Sequence, residues 1–457
     1  MSDRTCPLVL GCIADDVTGA TDLAINLVQG GMRVVQWFGV PTAEELRERE
    51  STHSVEADAI VVSLKSRSVP AADAIKQSLD ALEALQALGA QRFYFKYCST
   101  FDSTPKGNVG PVAEALLERL KTCGTIYCPA FPAAGRTVYQ GHLFVFDKLL
   151  NESGMENHPL NPMTDANLVR FLAQQTTRPV GHARSESLSD STGFTSDSNS
   201  NNNSASQAAS RHLAARLHEL HQAGTPHVVL DACNDRDLRE CAAAVADLPL
   251  VTGGSGLAKY LPEAYRHIGL LESQDHSAKL PNIEGRSAIL AGSCSRATQA
   301  QVEYMQAKCP VWKINVAEAI QDPNTLVDSI LRWSSEQPAV QPLLISSTQS
   351  AAQRGTPSAE NKQTATAIES VFGKLAKGLV SELNVRRLVV AGGETSGAVV
   401  AALGINVLKI GPEICTGVPW TESLGGTTTS DTPLALALKS GNFGEVDFFE
   451  TALGMLK

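Results

Sequence analysis

The stretch Arg387-Leu388-Val389-Val390-Ala391-Gly392-Gly393-Glu394-Thr395-Ser396-Gly397 decides the fold class. Arg387–Ala391 reads as a buried strand, and Ala398–Leu403 reads as a helix with no proline to break it. A second phrase, Gly411-Pro412-Glu413-Ile414, follows on the same strand–helix–strand unit. A glycine pair at a strand's carboxyl end lets backbone N–H groups approach a ligand, and the helix N-terminus behind it adds partial positive charge. Phosphate or another anion suits such a place. No Gly-Lys-Ser/Thr follows, so this is not a Walker A loop, and the spacing is not the dinucleotide Gly-x-Gly-x-x-Gly.

Outward from this unit the alternation repeats. Leu8–Ala14, Ala59–Ser63, Phe93–Lys96 and Thr125–Cys128 read as strands, with helices at Thr18–Val28, Ala71–Leu88 and Pro111–Leu120. Leu168–Gln174, Val228–Asp231 and Leu238–Val245 continue the pattern. A second series runs through Ser287–Ala291, Val311–Ile314, Leu343–Ser346, Arg387–Ala391 and Asn406–Ile410. The expectation is an α/β protein of two domains, each built on a mainly parallel sheet with crossover helices. The polar, proline-containing stretch Gln274–Arg286 separates them, giving domains over 1–273 and 287–457. Ser185–Ser206 is too rich in Ser, Asn and Asp to bury apolar surface and is expected to be a disordered surface loop. Ser347–Lys362 reads as another polar loop.

The chain has 457 residues, 43% of them hydrophobic, enough for two or three domains at roughly 100–200 residues each. A net charge of −10 with no basic stripe argues against a nucleic-acid partner. No segment is long enough to span a membrane. Leu8–Ala14 is too short for a secretory apolar region and is ended by Asp15-Asp16. The ten cysteines form no C-x-x-C pair, which points to reduced thiols in the cytoplasm rather than structural zinc. No metal site built from protein ligands is expected.

Asp15-Asp16-Val17-Thr18-Gly19-Ala20-Thr21-Asp22 places three carboxylates and two hydroxyls after the first strand, at the edge where open α/β sheets bind ligands. Asp16 or Thr18 would serve as a helix cap, but one cap needs one such residue and the surplus points to chemistry. Lys65 and Arg67 follow the strand Ala59–Ser63 and are placed to grip a carboxylate, or to form a solvated basic loop. Lys96–Asn108 combines Lys96, Lys106 and Asp102 with hydroxyls including Ser99, a loop suited to a hydroxylated acid. Arg136 lies just beyond the strand Thr125–Cys128, near His142, which reads more simply as structural. Thr252-Gly253-Gly254-Ser255 would hold phosphate or pack closely. Gly292-Ser293-Cys294-Ser295 precedes the helix Thr298–Gln306 and would bind phosphate or merely cap that helix. Lys439-Ser440-Gly441-Asn442-Phe443-Gly444, taken alone, reads as an ordinary turn.

Together these phrases resemble the four-carbon acid sugar kinase family over nearly the whole chain. The resemblance rests on Ala14–Asp22, Gly392–Gly397 and Lys439–Gly444. It implies an N-terminal substrate domain and a C-terminal nucleotide domain with ATP bound between them. ATP contacts would fall on Ser293 or Ser295, on Gly392, Gly393, Glu394 and Thr395, around Gly411, Pro412 and Glu413, and on Gly441. Lys96–Thr104 and Gly411–Trp420 are similar to the 3-oxo-tetronate 4-kinase branch, with threonate and erythronate kinases as alternatives. The Ser185–Ser206 insertion departs from the family's pattern.

Phosphoryl transfer to a terminal O4 hydroxyl needs positioning, charge neutralisation and a proton acceptor. Asp16 is the first candidate acceptor and Asp102 the second, with Asp15, Arg67, Lys96, Ser99 and Arg136 facing the acid. Mg²⁺ would bridge the ATP phosphates with few protein ligands. A sensor that binds without turnover is the rival from another class, but it gains nothing from the Asp15-Asp16 pair. A homo-oligomer is compatible with either reading.

Overall fold

A strand covered by helices on both faces must be apolar along its whole length, and the short apolar runs of this chain become such strands. The computed structural model describes residues 8–42, 44–46, 57–157, 161–184, 202–272, 278–280, 282–347, 359–424 and 433–456. The chain divides into two compact units, Met1–Ser277 and Ala278–Lys457.

The first unit contains strands β1 (Leu10–Ala14), β2 (Val34–Phe38), β3 (Ala59–Ser63), β4 (Phe93–Lys96), β5 (Thr125–Cys128), β6 (Arg136–Tyr139), β7 (His142–Val145), β8 (Lys148–Leu149), β9 (Val180–Ala183), β10 (His227–Leu230) and β11 (Leu250–Gly253). Its main sheet runs β2-β3-β1-β4-β11-β5-β10-β9, with every pairing parallel. All residues of β1, β3, β4, β5, β10 and β11 are buried. From β1 the chain crosses through the helix Val17–Gln29 to β2 on one side, and from β4 through the helix Val109–Leu120 to β5 on the other. The strand order therefore reverses between β1 and β4, the place where open α/β sheets leave a crevice. β6, β7 and β8 form a small antiparallel sheet of their own.

The second unit contains β12 (Arg286–Ala291), β13 (Val311–Lys313), β14 (Leu343–Ser346), β15 (Val385–Ala391), β16 (Val407–Cys415), β17 (Val418–Ser423) and β18 (Ala435–Lys439). They run β13-β14-β12-β15-β18-β17-β16. The pairings from β13 through β18 are parallel, and β17 pairs antiparallel with both β18 and β16. From β12 the chain leaves toward β13 and from β15 toward β16, at opposite edges, so a second order reversal lies between β12 and β15. Trp420 anchors the core of this unit, its indole N–H donating to the Ala452 carbonyl at 2.8 Å.

The mainly parallel α/β reading holds in both units, with local differences. Of the loop expected over Ser185–Ser206, 185–201 lie outside the described residues, and Asn202 already opens the helix Asn202–Gln222. Of the loop expected over Ser347–Lys362, 348–358 lie outside the described residues, and the helix Ala359–Glu382 begins within the rest. Arg286, assigned to the boundary, is the first residue of β12. The helix expected at Ala398–Leu403 starts earlier, at Gly393, so the glycine phrase is its first turn. Among the described residues, no helix is long and apolar enough to cross a membrane.

Candidate functional site

At the carboxyl edge of β1, β3 and β4 one guanidinium gathers three carboxylates. Arg67 holds Asp15 with two bonds, Nε to Oδ2 at 2.9 Å and Nη2 to Oδ1 at 2.8 Å. Its Nη2 also lies 2.9 Å from Asp16 Oδ2, and its Nη1 lies 3.3 Å from Asp102 Oδ2. Lys96 is buried beside them. Its Nζ donates to the Tyr97 carbonyl at 2.8 Å and lies 3.0 Å from the place a Cβ on Gly19 would take. The sequence-predicted Asp15, Asp16, Arg67, Lys96 and Asp102 thus share one site, although they come from three different strand ends.

Local structure explains the convergence. Asp16 is the N-cap of the helix Val17–Gln29, with Oδ1 accepting from the Gly19 amide at 2.6 Å. The Arg67 loop is tied down twice. The Ser66 and Arg67 amides donate to the Asp15 carbonyl at 3.0 and 3.2 Å. The Asn108 side-chain amide donates to the carbonyls of Ser66, Arg67 and Val69 at 2.8, 3.2 and 2.9 Å. Asp102 is returned to the cluster by Phe101, which sits at φ 56°. That left-handed backbone costs about 1–2 kcal/mol. It is offset by burying the Phe101 ring edge-on between Tyr97 and Phe171 at 5.2 and 6.1 Å.

The three carboxylates are not equivalent. Side-chain exposure is 6% for Asp15, 11% for Asp102 and 31% for Asp16, so Asp16 is the carboxylate a ligand can reach. Burial pushes the Asp15 carboxyl above its ordinary range, and the Arg67 pairing pulls it partly back. Burial works against the Arg67 charge, but the hydrogen bond and charge of Asp15, with Asp16, outweigh it and hold the guanidinium above its ordinary value. Arg67 was expected to grip a substrate carboxylate; here it holds the aspartates. Ser99 lies half-buried in the turn before Phe101. Arg136 opens β6, donates to the Ala134 carbonyl and stacks its guanidinium 6.0 Å from the Phe146 ring centre. His142 bonds the Gln140 carbonyl and Asn167, the structural role its sequence context suggested.

The second unit places its three candidate phrases on the adjacent parallel strands β12, β15 and β18. The Ser293 amide donates to the Ala391 carbonyl at 3.0 Å, and the Gly392 amide to the Lys439 carbonyl at 2.8 Å. Ser295 caps the helix Arg296–Met305, and its hydroxyl also donates to the Gly441 carbonyl at 2.5 Å. A Cβ on Gly441 would lie 2.2 Å from the Ser293 hydroxyl, so a side chain there would have to displace it. Gly392 sits at φ 132°, a conformation side chains resist. At Gly393 no atom lies within 4 Å of an added Cβ. Thr395 is buried against Gly292, while Glu394 is exposed in the first helical turn. Ser293, Ser295, Gly392, Gly393, Thr395 and Gly441 thus meet at one sheet edge.

Gly411, Pro412 and Glu413 fall inside β16, where the pairing with β17 is irregular between Ile410 and Glu413. Gly411 packs against Leu280, and Glu413 Oε1 accepts from the Gly417 amide at 3.0 Å. Sequence reasoning missed Asn108 as the clamp of the Arg67 loop, and Lys439 as more than a turn residue. Among the described residues no group of three or more His, Cys, Asp or Glu side chains is placed to hold a metal ion. The three aspartates converge, but Arg67 occupies the centre that a cation would need.

Known domain families match the two units separately. Residues 10–261 match the sugar-binding N-terminal domain family, and residues 288–449 match the nucleotide-binding C-terminal domain family. The chain is 47% identical over 449 residues to the 3-oxo-tetronate kinase of Pseudomonas fluorescens, covering 98% of this chain and 97% of that one. It is 49% identical over 452 residues to the 3-oxo-tetronate kinase of Burkholderia multivorans, with the same coverage. A crystal structure from Salmonella typhimurium LT2 superposes with a TM-score of 0.83 at 41% identity, and Haemophilus influenzae protein HI1011 with 0.80 at 39%. Each covers 98% of this chain and 100% of the other. With two domain families matched along its length and relatives this close over nearly all of it, the chain belongs to the four-carbon acid sugar kinase family, in the branch of the 3-oxo-tetronate kinases.

Proposed function

We propose that this protein transfers the terminal phosphoryl group of ATP to the O4 hydroxyl of 3-oxo-tetronate. The sugar acid binds at the Asp15–Arg67 cluster of the first unit, and the nucleotide binds at the Ser293–Gly441 group of the second. The observation that carries the reading is the set of three aspartates fixed by Arg67, with Asp16 the most accessible. A binder of anions has no use for carboxylates there, whereas transfer to a hydroxyl needs a proton acceptor. Asp16 takes the O4 proton, Asp15 and Asp102 fix Arg67, and Arg67 fixes Asp16. Lys96 supplies the positive charge that attracts the acid. Among the described residues no carboxylate group is placed to hold Mg²⁺, which would supply charge neutralisation at the ATP phosphates. The nine described cysteines are free thiols, which supports a reducing, cytoplasmic setting.

Substrate choice tests the branch assignment. A ketone at C3 only accepts hydrogen bonds, while an alcohol also donates. An ammonium such as that of Lys96 facing C3 only donates, so it leaves the alcohol's proton unpaired there, at about 1–3 kcal/mol. The kcat/KM for 3-oxo-tetronate is therefore expected to exceed those for threonate and erythronate by roughly 5- to 150-fold. Side-by-side kinetics on the three acids check this, and an equal or reversed order contradicts the branch while leaving the kinase reading intact.

Gly393→Val tests the nucleotide site. The fold leaves room for a side chain at this position, so the variant is expected to fold normally. The valine would fill the space where backbone meets phosphate. Calorimetric titration with a non-hydrolysable ATP analogue should give no saturable heat. Wild-type affinity in the folded variant would assign the glycine to packing.

A further inference from the structure

Lys439 ends β18 fully buried, and no carboxylate pairs with it among the described residues. Burial pulls its ammonium down to about 8. Its Nζ donates to the Thr298 hydroxyl at 3.1 Å and lies 3.1, 3.0 and 3.1 Å from the carbonyls of Ser440, Gly441 and Phe443. Two further buried side chains pull the same loop inward. Thr298 Oγ1 donates to the Gly441 carbonyl at 2.8 Å. Gln301 Nε2 donates to the carbonyls of Phe443, Gly444 and Glu445 at 3.0, 2.9 and 2.9 Å. In a planar trans peptide the N–H points opposite the C=O. Turning these carbonyls toward the interior therefore turns the following amides outward. The amides of Gly441, Asn442 and Gly444 have no partner among the described residues. Gly441 packs against Ser293 and Ser295, so these amides flank the group already assigned to the nucleotide.

We propose that Lys439 is a positioning residue for the nucleotide: its buried ammonium, with Thr298 and Gln301, holds the Ser440–Glu445 loop so that the amides of Gly441, Asn442 and Gly444 face a phosphate. The proposal deepens the kinase reading and rests on it. Lys439 touches no substrate itself; it acts through the loop it shapes. A neutral isostere removes one donor from each of three carbonyls, and the loop relaxes. The Thr298 hydroxyl contributes one bond to the same carbonyl array, so its removal acts in the same direction with a smaller effect.

The test compares Lys439→Met, Thr298→Val and Thr298→Ser with wild type. The measurements are calorimetric Kd for ATP and for inorganic tripolyphosphate, melting temperature without ligand, and KM for the sugar acid. Lys439→Met is expected to weaken ATP and tripolyphosphate alike by about tenfold to a hundredfold, with KM for the acid unchanged. Thr298→Val should weaken both by several-fold, and Thr298→Ser, which keeps the hydroxyl, should restore them. A folded Lys439→Met that binds both ligands like wild type overturns the proposal. If Lys439→Met does not fold, equal nucleotide affinity in Thr298→Val and Thr298→Ser overturns it. Wild type that binds tripolyphosphate but not ATP, with tripolyphosphate affinity lowered in Lys439→Met, contradicts the kinase reading and leaves the loop assignment standing.

Discussion

Asp16→Asn is expected to lower kcat by about 10²–10⁴-fold, the usual cost of losing a general base, while the fold and ATP affinity stay as they are. The substitution is clean for a structural reason. Asp16 caps the helix Val17–Gln29 through the Gly19 amide, and asparagine caps a helix about as well as aspartate. What the variant loses is the charge proposed to accept the proton, together with the attraction to Arg67. Asp102, with 11% side-chain exposure against 31% for Asp16, is too enclosed by Arg67 to take over. Steady-state kinetics with saturating ATP and acid give the answer. A kcat within a few-fold of wild type would remove Asp16 from the chemistry.

Arg67→Met is expected to be the most destabilising change at either site, costing about 3–5 kcal/mol, as breaking one side of a buried ion pair does. Asp15 is the reason, because its carboxylate is nearly inaccessible and takes two hydrogen bonds from Arg67. The deficit should depend on pH with a definite sign. Burial already raises the Asp15 pKa in the folded state, and Arg67 is the main influence that lowers it. Without Arg67 the folded value rises further. A carboxyl whose folded pKa exceeds its unfolded value favours folding below the unfolded pKa, and that contribution is lost as pH rises through the folded value. The gap between Arg67→Met and wild type should therefore narrow as pH falls toward the ordinary carboxylate range. Urea unfolding across that interval reads the effect. A gap that stays constant or widens in acid would mean that Asp15 is not the charge left unpaired.

The parallel cores were legible because burial on both faces writes itself into the sequence. β3, β4, β5, β14 and β15 are near-continuous apolar runs, and each was read close to its observed limits. Other elements left weaker signals. β2, Val34-Val35-Gln36-Trp37-Phe38, lies close behind a helix with only a short polar break and carries a buried glutamine. β18, Ala435-Leu436-Ala437-Leu438-Lys439, has residues of low strand propensity and ends in a lysine. The helix Asn202–Gln222 opens in Asn and Ser, residues that read as loop because they compete with the backbone for hydrogen bonds. Gly411-Pro412, read from the sequence as a glycine phrase near the nucleotide, lies in an irregular stretch of a β-hairpin strand.

The site was legible residue by residue and illegible as an arrangement. The carboxylates after β1, the arginine after β3 and the aspartate after β4 could each be singled out by position at a strand's carboxyl end. That a single arginine would contact all three is a matter of reach across strands 35 to 52 residues apart in sequence. Asn108 is similar, since its three carbonyl partners lie 39 to 42 residues away. Lys439 shows the same limit, because sequence spacing does not reveal whether an ammonium faces solvent or the interior.

The most direct measurement of the central claim is the product formed from ATP and 3-oxo-tetronate by the purified protein. Phosphorus–carbon coupling in the nuclear magnetic resonance spectrum of the product identifies the esterified carbon, and a coupled assay counts ADP. The account predicts one ADP for each phosphate ester, with the ester at O4 and none formed without the acid. ATP left unconsumed with every four-carbon acid offered, or an ester at another oxygen, would contradict it.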